Sequence, residues 1–226
     1  RENLTDHLSL DKKKGKIRQK LLKIRAKKVI IATGAIERPL IFDNNDRPGI
    51  ILSSAVKKYA DFYGVICGKK NILFTNNDSA YETAISIFNK GININAIVDI
   101  REEVDSELAN KVKKLGIKIY SSHTVVDTYG YKRINKISIM KLSKDGQSVV
   151  GPKIKLSCDC LGVSGGWTPA IHLFTQSGGK LKFRDNDNVF VPNIYPSDQI
   201  SIGSSNGDFD LETIIINFNK NIKDFL

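Results

Sequence analysis

The sequence predicts an α/β fold in two lobes, built on a parallel sheet that carries an antiparallel β insertion. Three observations support this. Residues 69–122 alternate strand-sized apolar runs with helical segments, in the order KKNILF, NNDSAYETAISIFNKG, INAIVDI, EEVDSELANKVKKLG and IKIYSS. Two strand-helix-strand passes of this kind imply a parallel sheet with right-handed crossovers. From His123 to Val163 the helical period gives way to three consecutive strand-like runs, VVDTYG, RINKISIMKL and KIKLSCDCLGV, joined by polar turns. The segments ERPLIFDNNDRPGI and SGGWTP interrupt regular structure on either side of this region and read as crossings between lobes.

The remaining elements follow in chain order. QKLLKIRAKKVIIATG reads as a strand, a tight turn and a more apolar strand ending at Gly34. SSAVKKYADFYG is a helix with Val56, Tyr59, Ala60 and Tyr63 on one side and Ser53 or Ser54 as its cap. The next two helices end at Gly91 and Gly116. After SGGW come a short helical stretch, the turn RDNDN, and the strands VFVPN and QISIGSS. DLETIIINFNKNI is a last helix, capped by Asp208 or Asp210. The predicted division places residues 1–40 at the end of a first nucleotide-binding domain. Residues 41–165 form an inserted domain with the antiparallel strands, and residues 166–226 return to the first. The first domain is incomplete, because no glycine-rich turn precedes the VIIATG strand.

Composition narrows the function classes. A hydrophobic content of 41% supports globular cores. No run of eighteen apolar residues occurs, so neither a membrane span nor a membrane partner is expected, and a cytoplasmic location follows. The opening RENLTDHLSLDKKKG is charged where a signal peptide needs an apolar core, and without an initiator methionine it reads as a processed product or a fragment. The net charge of +11 favours polyanions, but the lysines are dispersed along the chain rather than interleaved with aromatics, so nucleic acid is not expected as a partner. Cys158 and Cys160 are spaced for one face of a strand, suited to a core role. With Cys67 and three scattered histidines they suggest no metal site. No catalytic triad can be assembled either.

The motif of most interest is FTNNDSAYETA, residues 74–84. It stands between strand and helix, where a Rossmann-like nucleotide-binding fold places its glycine-rich turn. Laid on that frame, Thr75 takes the first glycine position, Asn77 the second and Ala80 the third. Alanine is accepted at the third, asparagine is tolerable at the second because it visits positive φ, and β-branched Thr75 fits worst. Asn76, Asn77 and Asp78 lie at the helix N-terminus, where free amides can hold phosphate. Asp99 ends the next strand, about twenty residues on, where a carboxylate takes ribose hydroxyls. Arg101 follows and is able to neutralise a phosphate. The turn is open to two readings, a dinucleotide site or a scaffold that has lost its glycines. A second candidate is the ATG turn, where Thr33 and Gly34 let backbone run close to a dinucleotide. SGGW is either a close approach to a ligand or chain, or a hinge plugged by Trp167.

Together, VIIATGAIERPLIFDNNDRPGI, FTNNDSAYETA and SGGWTPAIHLFTQSGGKL closely resemble the alpha subunit of heterotetrameric sarcosine oxidase. The resemblance implies a half similar to flavoprotein disulfide reductases that holds NAD, with FAD and the amine-oxidising pocket in the beta subunit and FMN at the alpha-beta boundary. It further implies beta, gamma and delta partner subunits. The complex would oxidise sarcosine to glycine, forming hydrogen peroxide and formaldehyde or methylene-tetrahydrofolate, and this chain alone would be inactive. Related amine and amino-acid dehydrogenase subunits share the architecture, and a stand-alone nucleotide-binding or interaction module is the other alternative. Near the C-terminus, ISIGSSNGDFD stands where the reductase-like fold carries a glycine-aspartate pair. Gly203 keeps the glycine and Ser204 replaces the acid, so the family's dinucleotide contacts carry over only to Thr33, Gly34 and the neighbourhood of Gly203.

Overall fold

A computed structural model describes residues 2–225. Its central sheet has five parallel strands in the order Ile50–Leu52, Cys160–Ser164, Asn71–Thr75, Ile94–Asp99 and Ile119–Tyr120. Successive side chains of a strand point to opposite faces, so each strand feeds two cores. Leu73, Ile97 and Cys160 pack with Val56, Tyr81, Ala84 and Val112 of the helices Ser53–Tyr63, Ser79–Phe88 and Glu107–Lys114. Ile72, Phe74, Val98, Leu161 and Val163 pack on the other face with Val125, Ile137 and Ile139. Those three belong to an antiparallel sheet of His123–Tyr129, Lys136–Leu142 and Val149–Ser157. Each such side chain, fully buried, contributes about 1.5–3 kcal/mol. The result is an α/β fold of three layers: helices, parallel sheet, antiparallel sheet.

The run KIKLSCDCLGV is not the single strand expected. It breaks at Asp159, whose carboxylate accepts from the backbone N–H groups of Lys69 and Lys70 at 3.1 and 2.7 Å. That turn moves the chain from the antiparallel sheet to the centre of the parallel one. Cys158 and Cys160 therefore face opposite cores rather than one. Burial pushes both thiols up to about 12, so neither is a nucleophile at neutral pH.

One helix start also differs in detail. No serine side chain caps Ser53–Tyr63. Buried Glu37 does so from outside, its Oε2 accepting from Ser54 N–H at 2.9 Å and Ser54 Oγ–H at 2.5 Å. Tyr59 and Tyr63, expected on one side of this helix with Val56 and Ala60, are largely exposed. In the final helix, Leu211–Phe225, the cap is Asp210, which accepts from Thr213 N–H at 2.8 Å.

Early and late segments of the chain meet. Val29–Ile31 pairs in parallel with Gln199–Ser201, and Ala35–Glu37 pairs antiparallel with Trp167–Pro169. The expected strand in QKLLKIRA reduces to Gln19–Lys20, paired with Glu2–Asn3, and Leu21, Leu22 and Ile24 are exposed. The two crossings between lobes run side by side. Gly165 N–H donates to Arg38 O at 2.6 Å and Arg38 N–H to Gly166 O at 2.8 Å. A Cβ on Gly165 would lie 2.8 Å from Pro39 O, which explains a glycine there by chain-to-chain approach. Among the described residues, no helix is long and apolar enough to cross a membrane.

Candidate functional site

The crossing leaves a cleft of about 750 Å³ over the C-terminal end of the parallel sheet. Its walls are the turn Asn76-Asn77-Asp78, the first residues of the following helix, Gly166 and Trp167, Arg38, the turn 186–188, and Phe209 and Asp210 before the last helix. Open α/β sheets bind ligands at this end of the strands. Three of the expected residues, Asn76, Asn77 and Asp78, line it directly.

The turn needs no glycine. None of residues 75–78 has a positive φ, so the tolerance of asparagine for that region is not what admits Asn77. Thr75 is accommodated as the last, fully buried residue of its strand, its Oγ1 accepting from Asn77 N–H at 3.0 Å and donating to Asn77 O at 2.9 Å. Asn77 then caps the helix. Its Oδ1 accepts from Ser79 N–H at 3.0 Å and Ser79 Oγ–H at 2.6 Å. Its Nδ2 donates to Asn76 Oδ1, Ser164 O and Ser164 Oγ at 2.9, 3.2 and 3.1 Å. Trp167 joins from the far wall, donating Nε1–H to Ser79 Oγ at 3.2 Å. Sequence reasoning missed this link between TNND and SGGW, because it joins residues 88 positions apart.

Asp99 does not line the cleft. It is fully buried at the strand end and accepts from Tyr81 Oη at 2.9 Å, Arg101 N–H at 2.9 Å, Arg101 Nε at 3.1 Å and Arg101 Nη2 at 2.8 Å. Arg101 spans two carboxylates, its Nη2 also lying 2.8 Å from Asp78 Oδ1. Burial would lower the Arg101 pKa, but the hydrogen bonds and charge of Asp99, with those of Asp78, reverse this and raise it. Tyr81 is raised by burial first and by Asp99 second. The residues expected to take a ribose and to neutralise a phosphate thus satisfy one another.

Thr33, Gly34 and Gly203 form a separate group. Thr33 Oγ1 donates to Ala170 O at 2.6 Å. Gly34 and Gly203, with φ of 74° and 66°, follow the adjacent parallel strands Val29–Ile31 and Gln199–Ser201. The structure gathers Asn76, Asn77 and Asp78 at the strand ends of one sheet, with Asp99 and Arg101 behind them, and Thr33, Gly34 and Gly203 at the strand ends of another.

Arg38 was not foreseen. It is the one cation lining the cleft among the described residues. Its Nη1 and Nη2 donate to the carbonyls of Asn188 and Asp187 at 3.1 and 3.3 Å, and its Nε is buried without a partner. A cation in a cleft at this end of the strands is the group that would attract an anionic ligand. Four carboxylates line the same cleft: Asp78, Glu82 and Asp187 are paired with Arg101, Lys57 and Arg184, and Asp210 caps the last helix.

No family model matches the chain. It is 35% identical over 208 residues, 91% of its length, to "Sarcosine oxidase subunit alpha" of Corynebacterium sp. (strain P-1), and 33% identical over 206 residues to the subunit of the same name from Corynebacterium sp. (strain U-96). The chain spans about a fifth of the length of these relatives, 21% in each case. Among solved structures it is similar to T. acidophilum thioredoxin reductase, with a TM-score of 0.63 at 18% identity, covering 85% of this chain and 62% of that one. The chain is thus homologous to part of a sarcosine oxidase alpha subunit and has a Rossmann-like fold with an inserted subdomain, as in that thioredoxin reductase.

Proposed function

We propose that this chain is the nucleotide-binding part of the alpha subunit of an amine-oxidising flavoenzyme, holding an NAD-type dinucleotide in the cleft and having no catalysis of its own. The observation that carries the reading is the cleft itself. It lies at the end of the parallel strands, is walled by the TNND turn and SGGW, and holds Arg38 as its one cation among the described residues. Homology to the sarcosine oxidase alpha subunit supports sarcosine or a related secondary amine as the substrate of the whole complex. Beta, gamma and delta subunits, with FAD and FMN among them, are the partners that reading supplies, and the cytoplasm is its compartment.

In this reading Arg38 holds a phosphate by charge, the Asn76-Asn77-Asp78 turn shapes one wall, and Trp167 closes the other against water. A bound NAD supplies a nicotinamide able to carry hydride. The residues of this chain bind and orient it, while Asp99, Arg101 and Tyr81 keep the strand end rigid beneath the turn.

Trp167 is the only tryptophan, so the test has a built-in reporter. Titration of the purified chain with NAD should change Trp167 fluorescence saturably, with a matching heat signal in calorimetry, and Arg38→Ala should weaken both at least tenfold. A folded chain that shows neither signal overturns the reading of the cleft.

A further inference from the structure

The cations of this chain are spread along it, but their excess is not. Residues 12–28 hold ten lysines and arginines and no acidic residue, which leaves 25 basic against 24 acidic residues in the remainder. All but one unit of the net charge of +11 therefore sits on seventeen consecutive residues, and nearly all of them are exposed. Three of these cations are engaged within the chain. Lys13 donates to Asp6 O at 3.4 Å, Arg18 pairs with Asp6 at 3.0 Å, and Lys28 donates to Phe225 O. The other seven make no hydrogen bond or ion pair with a described residue.

The same segment has an open backbone. Gln19–Lys20 pairs with Glu2–Asn3, but residues 22–27 make no backbone hydrogen bond to a described residue. Ile17, Leu21 and Ile24 are 71%, 74% and 84% exposed. The order Leu22-Lys23-Ile24-Arg25 is that of a strand with one apolar and one cationic face. We propose that residues 20–27 are a docking edge for a strand of another, acidic protein. Its carboxylates meet Lys23, Arg25 and Lys27, and its apolar side chains meet Leu22 and Ile24. In such strand addition the main-chain hydrogen bonds supply affinity and the alternating side chains supply the choice of partner.

The other occupants fit less of the segment. A second copy is repelled, because lysines on an open edge set like charges opposite one another. Nucleic acid would meet the charge alone, since residues 12–28 contain no aromatic side chain on which a base could stack. A lipid surface is disfavoured because unpaired backbone groups are costly there and residues 17–24 form no helix that gathers their apolar side chains on one face. An acidic strand meets the cations, the exposed apolar residues and the free backbone together.

The test is a labelled peptide of about ten alternating valine and glutamate residues, titrated with the purified chain at about 0.15 M salt, where exposed charges are screened beyond about 8 Å. Its fluorescence anisotropy should rise saturably, and bound peptide should slow amide hydrogen exchange at residues 22–26 about tenfold or more. Replacing Lys23 and Arg25 together by glutamine should weaken binding about fivefold or more. Replacing Leu22 and Ile24 together by asparagine should weaken it about threefold or more. Binding without slowed exchange, or binding that either double substitution leaves unchanged in a folded chain, overturns the strand edge. Tighter binding of oligothymidylate or of phosphatidylserine vesicles than of the peptide overturns the choice of a protein, and no binding of the peptide overturns the proposal outright.

Discussion

Replacing Asp99 by alanine asks whether the strand-end carboxylate serves a ligand or the fold. In the structure it is fully buried and accepts from Tyr81 Oη, from Arg101 N–H and from the Arg101 guanidinium. Removing one partner from a buried ion pair costs about 3–5 kcal/mol, because the other charge stays behind. Arg101 is not wholly stranded. Its side chain is 32% exposed and keeps Asp78 at 2.8 Å, so its share belongs at the bottom of that range, about 3 kcal/mol. Tyr81, with no exposed surface, loses its acceptor and adds about 1 kcal/mol. The expected loss is about 3–4 kcal/mol, read by urea denaturation followed in parallel by far-ultraviolet circular dichroism and Trp167 fluorescence. Coincident transitions license a single free energy. A loss below about 1 kcal/mol, accompanied by a fall in NAD affinity of tenfold or more, would refute the argument and return Asp99 to the ligand.

Three further outcomes follow from the same geometry. Tyr81→Phe removes one hydrogen bond from that network and should cost about 1 kcal/mol in the same denaturation assay, with NAD affinity unchanged. Glu37→Ala strips the external cap from helix Ser53–Tyr63 and should cost about 1–2 kcal/mol, seen as a lower thermal midpoint. Cys158 and Cys160 are pushed by burial from 9.0 up to about 12. Their raised folded-state values mean that the stability linked to protonated thiols is complete below pH 9 and lost as pH rises toward 12. The slope is about 1.4 kcal/mol per pH unit per thiol. Wild type should therefore destabilise more steeply between pH 9 and 11 than Cys160→Ala, and equal slopes would count against burial as the cause.

The alternation of strand and helix from residue 71 to residue 120 was legible because it is local. Its period is written in neighbouring side chains, and the structure gives Asn71–Thr75, Ser79–Phe88, Ile94–Asp99 and Glu107–Lys114 in that order. What was not legible rests on partners far along the chain. The run KIKLSCDCLGV has the composition of one strand, and only the backbone N–H groups of Lys69 and Lys70, about ninety positions away, break it at Asp159. Glu37 caps a helix seventeen residues on, and Arg38 meets the turn at 187–188 from the other side of the insertion.

The candidate site shows the same division at closer range. A missing glycine reads as a defect only if the turn requires positive φ, and residues 75–78 do not have it. The threonine and asparagines are then additions, supplying from side chains the hydrogen bonds that a glycine turn leaves for its ligand. Asp99 illustrates the opposite case, where position alone misleads. A carboxylate ending this strand faces ribose in one chain and an arginine in another, and the choice here belongs to Arg101, two residues further on. A cation at that spacing folds back onto the acid through both its backbone N–H and its guanidinium. In this chain the Asp-x-Arg spacing gives an internally satisfied carboxylate. The residues that line the cleft are instead Asn77, Ser79 and Arg38.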